Sequence, residues 1–116
     1  MSRTALFGLS SLALSVSAFA GNGSGHHSPM AQEMHVSMQK MHKDMMNIKM
    51  TGDAEVDCMK MMIPHHQGAI DMSKIYLKYS SNPEIRANAE KIISDQTKEI
   101  EEMEKLIEAE GAHSGK

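Results

Sequence analysis

Apolar residues recur in steps of three and four along three long stretches of this chain, and no stretch shows the sustained alternation of a half-buried strand. The first stretch, about residues 29–50, has Met34, Met38, Met41, Met45 and Ile48 as its seam, with Ser28 placed to cap it and Pro29 at the first helical position. The second starts behind Asp53 and follows Val56, Met59, Ile63, His66, Ile70, Ser73 and Leu77 to about Tyr79. Pro64 lies inside it, removes the hydrogen bond to the carbonyl of Lys60, and is expected to kink the helix there. The third, capped by Asn82, runs from Pro83 to about Glu110 along Ile85, Ala89, Ile92, Gln96, Ile100, Met103 and Ile107, and is expected to stop at Gly111. The breaks at Thr51-Gly52-Asp53 and Ser80-Ser81-Asn82-Pro83 are short, which makes sequential helices antiparallel neighbours. The pattern therefore predicts an all-α fold, a small antiparallel bundle of three helices over residues 30–110 with its middle helix kinked at Pro64. A flexible lead at 21–29 and a flexible tail at 111–116 flank it.

The first twenty residues have a different pattern. Arg3 and the amino terminus give a positive start, an apolar run follows with Leu6, Phe7, Leu9, Leu12 and Leu14, and Ala18-Phe19-Ala20 has the small-x-small form of a cleavage site. This is the layout of a secretory signal peptide cut after Ala20, which places the mature chain in the periplasm or outside the cell. No Cys follows the cut to take a lipid, so the mature form is expected to have no membrane anchor.

The length of 116 residues leaves no room for a second domain, and a net charge of −3 argues against a nucleic-acid partner. A single cysteine excludes an internal disulfide framework. Cys58 is open to three roles: packing as a small apolar residue, pairing two chains, or binding metal. Composition changes the picture most after residue 20, where the chain has no Phe, nine Ile, two Leu and two Val against twelve Met. Methionine specifies a core poorly and is open to oxidation, so this usage calls for a reason beyond packing. With so few other large apolar residues, one face of three helices could stay uncovered, and a homodimer is a natural remedy.

Met61-Met62-Ile63-Pro64-His65-His66 places each Met four residues before a His, one helical turn away on the same ridge. Met72, seven residues past His65, points the same way. Thioether sulfur is a soft neutral donor and imidazole an intermediate one, a pairing that suits Cu(I), with Ag(I) as its surrogate. Zinc favours thiolate, imidazole and carboxylate, and calcium favours oxygen. On the first helix, Met34, Met38, Met41 and Met45 with His35 and His42 offer further sites, against the plainer reading of a Met-built core. His26, His27 and His113 read as solvated. Gln96 sits in the third seam, where it is placed to fix a seam histidine, with Glu99 beside it, while residues 99–104 read as a solvated acidic face. No HExxH, phosphate loop or GxSxG is present, and the one Glu-x-x-His straddles the expected helix stop, so no enzyme is expected.

The stretch MMIPHHQGAIDM, Met61 to Met72, resembles the signature of a bacterial family known as domain of unknown function 305. Ile92 to Met103 resembles that family's second motif of Gln, Glu-Ile and Met. The resemblance spans roughly residues 54–107 and implies an exported helical protein of ferritin-like bundle type. The best understood members, the CopM-like proteins, bind copper through Met and His and support copper tolerance. The resemblance points to Met61, Met62, His65, His66 and Met72 in the first motif, and to Gln96, Glu99 and Met103 in the second. The sequence departs from the family pattern at Cys58, Lys60 and Leu106, where relatives often have an aromatic, an acidic residue and Trp.

Taken together, these features lead to the expectation of an exported, non-enzymatic protein that sequesters or chaperones Cu(I) and works with a copper-handling partner. The alternative is a metal-independent interaction module whose Met-rich face grips a partner helix or an unfolded chain.

Overall fold

A computed structural model describes residues 28–114. The export segment predicted over 1–20, the lead through His26 and His27, and the last two residues lie outside the described residues. Three helices account for almost all of the rest: α1 (Pro29–Met46), α2 (Ala54–Tyr79) and α3 (Pro83–Ser114). No strand occurs among the described residues, so the chain is an all-α helical bundle.

Each helix begins as its cap residue dictates. The Ser28 hydroxyl accepts from the Ala31 N–H at 3.2 Å, with Pro29 opening α1. Asp53 accepts from Glu55 and Val56 at 2.9 and 3.1 Å, and Asn82 from Glu84 and Ile85 at 2.9 and 3.3 Å. These bonds satisfy backbone donors that the first turn of a helix leaves without partners.

The ends depart from the sequence expectation. Helix α1 stops at Met46, not near Met50, because the following residues are drawn onto α2. The Asp57 carboxylate accepts from the Thr51 N–H and hydroxyl, both at 2.7 Å, and from the Gly52 N–H at 3.0 Å, while the Lys60 ammonium donates to the Lys49 carbonyl at 2.5 Å. Gly52 makes the turn at φ +91°, in the left-handed region that a side chain disfavours. Helix α3 passes through Gly111 to Ser114, so the expected tail from residue 111 is largely helical. A glycine ends a helix by turning left-handed, and among the described residues Gly52 alone has a positive φ. Helix α2 is continuous through Pro64, the position at which the kink is expected.

Helix α2 is the centre of the fold. Helix α1 packs on one side of it and α3 on the other, and α1 and α3 make no close approach to each other. On the α1 side the Met41 side chain lies flat on Gly68, so close that a Cβ at that glycine would sit 2.4 Å from the sulfur. Further along, the Tyr79 hydroxyl donates to Glu33 at 2.7 Å and the Lys78 ammonium pairs with the same carboxylate. On the α3 side the Arg86 guanidinium donates to the carbonyls of Leu77 and Ser80 at 2.6 and 3.0 Å.

This open arrangement buries little. Among the described residues only Val56, Ile70 and Ala89 form a buried apolar core, with Ser37 and Ser73 as buried polar positions. Two expected seam residues are therefore displaced: Ile85 is 44% exposed, and Met38 is 52% exposed, with Ser37 facing α2 in its place. A small side chain there, opposite the helix that carries Gly68, lets the two backbones close up. Its hydroxyl is buried without a hydrogen-bond partner among the described residues.

Two measurements check this account. Gly68→Ala should lower stability, since overpacking costs about 1–3 kcal/mol and outweighs a helix-propensity gain of about 1 kcal/mol. In a Met41→Ala background the two closest atoms are gone and only the Cβ of residue 41 remains, 3.1 Å from the new methyl, so the same change should cost much less. The second concerns acid. Hydrogen bonds from Lys78 and then Tyr79 hold Glu33 below its ordinary 4.5, and the Thr51 N–H and hydroxyl hold Asp57 below its ordinary 3.8. A carboxylate depressed in the fold stabilises it above its unfolded value, and that contribution is lost as pH falls through the folded value. Melting temperature should therefore drop on acidification below about pH 4.5, with a shallower drop in Glu33→Gln and Asp57→Asn.

Candidate metal site

Each residue advances about 100° around a helix, so the direction of Gly68 towards α1 fixes the direction of every other position on α2. His66, Ser73 and Leu77 fall on the far side, against α3. Between these two occupied sides lie two open ones. One carries Lys60, Gln67, Asp71 and Lys74, and Gln67 donates to Asp71 at 2.9 Å. The other carries Cys58, Met62, His65, Met72 and Tyr76, while Met61, about 20° from Gly68, turns towards α1. Four of the seven sulfur and imidazole groups of α2 thus lie on this open side, while Met61 faces α1 and Met59 and His66 face α3.

The neighbouring helices continue this division. A groove on the polar side is lined by Glu33, Val36 and Lys40 of α1 with Asp71 and Lys74 of α2. The opposite margin of α1, bearing Met34, Met38 and Met45, therefore lies beside Met61 and Met72. On the α3 side one groove joins Tyr76 to Ile85 and Ile92, and another joins Cys58 and Met59 to Leu106. Met103 lies on α3 between Leu106 and Glu99, level with Met62. Met41 belongs to the packed seam against Gly68. His35 and His42 stand on the outer edge of α1, both exposed.

The two adjacent histidines diverge. Their ring centroids are 6.2 Å apart with planes at 61°. His66, its side chain 13% exposed, turns towards α3: Nδ1 donates to the Met62 carbonyl at 2.9 Å and Nε2 lies 2.8 Å from a Glu99 carboxylate oxygen. Both ring nitrogens are engaged, so a metal at His66 must first displace Glu99 or the carbonyl. His65 is exposed and, like His42, has no hydrogen bond among the described residues. The Gln39 amide donates to Nε2 of His35 at 3.0 Å, which leaves that ring's proton on Nδ1.

Sequence reasoning placed Gln96 against a seam histidine, whereas in the structure Glu99 makes that bond. The spacing held the signal: Glu99 is one turn beyond Gln96 and carries two acceptors for the donors of a ring. Reasoning from sequence also missed the Glu33 link to Lys78 and Tyr79, which pairs residues 45 and 46 apart in sequence. Among the described residues no three His, Cys, Asp or Glu side chains gather in a group able to hold a metal ion. A site built from these residues therefore draws on thioether sulfur.

A family model described as Domain of unknown function (DUF305) matches residues 9–111. The match covers most of the chain, and the chain belongs to that family. No curated protein matches it.

The His66–Glu99 bridge joins α2 to α3, so Glu99→Ala should destabilise the protein by about 1 kcal/mol. A double-mutant cycle with His66→Ala, read by urea unfolding, should give a favourable coupling. Additive losses would remove the bridge from the account.

Proposed function

We propose that this member of the domain of unknown function 305 family is an exported, non-enzymatic copper-binding protein that sequesters Cu(I) or hands it on. The observation that carries this reading is the helical register, which puts Met62, His65 and Met72 on one open side of α2 and Met34, Met38 and Met45 on the margin of α1 next to it, with Met61 turned towards α1. Met103 approaches the same side from α3. These are soft, neutral donors, and a monovalent soft cation can bind them without a compensating acid. Neither thioether nor imidazole forms a disulfide, so the set keeps its donors in an oxidising compartment.

His65 is the imidazole best placed for this role, being exposed and without a hydrogen bond among the described residues. His66 holds α2 to α3 through Glu99 and enters a metal site only by exchanging that bond. His35, Met38 and His42 follow one another at i, i+3 and i+7 along the outer margin of α1, where they offer a second, more exposed set. Copper is cargo here, captured where loose copper is harmful and passed to a copper-handling partner.

Titration with Cu(I) or Ag(I) under reducing conditions, with stoichiometry read by native mass spectrometry, tests the proposal. The native protein should take up metal and melt at a higher temperature when loaded, since a ligand that binds only the folded state stabilises it. Combining His65→Ala with Met61→Leu and Met62→Leu should lower the number of ions bound while leaving the helical circular dichroism intact. A native protein that takes up neither ion contradicts the reading.

A further inference from the structure

The side of the layer that carries the soft donors also bears five of the nine exposed large apolar side chains among the described residues, Val36, Met46, Met50 and Tyr79 lying elsewhere. Met38, Met62, Tyr76, Ile85 and Leu106 are 52, 38, 44, 44 and 54% exposed, and helical register together with the two α2–α3 grooves puts all five on that side. The other side of α2 presents Lys60, Gln67, Asp71 and Lys74. A chain this poor in core, with no large side chain fully buried among the described residues, has its missing packing partner on one identifiable face.

We infer that a second copy of this chain covers that face, with the twofold axis running along α2. Area supports this occupant. The common length of the three helices is about 27–39 Å at 1.5 Å per residue, and three axes about 8–10 Å apart span about 20–30 Å. The face is therefore about 540–1,170 Å² per copy, a range that includes the roughly 800 Å² per partner of a standard stable interface. Composition supports it too: the middle of the face is sulfur, aliphatic and aromatic, with ionised groups at its edges, as in the centre of a stable interface. The core shortage points to a partner that is always present when the chain folds, and only another copy meets that condition.

Hydrogen-bonding complementarity selects the axis. The α1 edge of the face bears the imidazoles of His35 and His42, while the α3 edge bears the carboxylates of Asp95, Glu99 and Glu102. A twofold along α2 lays each α1 over the partner's α3 and brings these opposite edges together. A twofold across the helices would lay α1 on α1 and α3 on α3, acid against acid. With the axis along α2, each residue in the middle of the face meets its own counterpart, so Cys58 lies opposite the partner's Cys58.

This inference rests on the packing of the helices and stands apart from copper. Sedimentation equilibrium of the purified, metal-free protein over a concentration series should give a dimer mass, and the melting temperature should rise with concentration. Tyr76→Glu with Leu106→Glu should abolish the dimer, whereas Val36→Glu, on the opposite side and 63% exposed, should leave it intact. Mild oxidation should link two chains through Cys58. A native protein that sediments as a fully helical monomer throughout the series overturns the proposal. So does a dimer that survives the double substitution, or one that Val36→Glu disrupts as readily. A dimer that resists cross-linking at Cys58 overturns the assigned axis.

Discussion

The sulfur of Met41 resting on the bare backbone of Gly68 lets α1 reach one side of α2, while His66 and Glu99 tie α3 to the opposite side. With its two neighbours about half a turn apart, α2 cannot be enclosed by them. Three helices that could have closed around a common axis instead lie side by side, and the thin core of Val56, Ile70 and Ala89 follows from that geometry.

The same constraint gives the molecule two unlike sides. A helix bound on opposite arcs presents its remaining arcs separately, and the sequence of α2 fills one with charge and amide groups and the other with Cys58, Met62, His65, Met72 and Tyr76. Methionine suits the second role doubly. Its flexible thioether adapts to an imperfectly packed surface, and the same sulfur is a soft donor. Packing and the metal capture proposed above thus draw on one set of side chains.

Much of the fold was legible in sequence because its signals are local. Ser28, Asp53 and Asn82 announce helix starts within a few residues, and the steps of three and four identify helices whatever their partners. What escaped was decided at longer range. Whether Ser37 or Met38 faces α2 depends on how closely a glycine one helix away allows the backbones to approach. The end of α1 depends on Asp57 and Lys60, which claim the loop from the next helix. Gly111 reads as a stop in isolation, yet a glycine that keeps right-handed dihedrals is only a weak helix residue. At the site, the Met61–His66 cluster stood out by its spacing, but the divergence of its two rings could be seen only once Glu99 was in place across α3.

The central claim is that one side of a flat helical layer offers thioether sulfur and imidazole together to a soft cation. X-ray absorption at the copper edge of the Cu(I)-loaded protein reads those neighbours directly. The account predicts a scattering shell dominated by sulfur with a smaller nitrogen contribution that falls in His65→Ala. A shell of nitrogen and oxygen alone, with no sulfur, would contradict it.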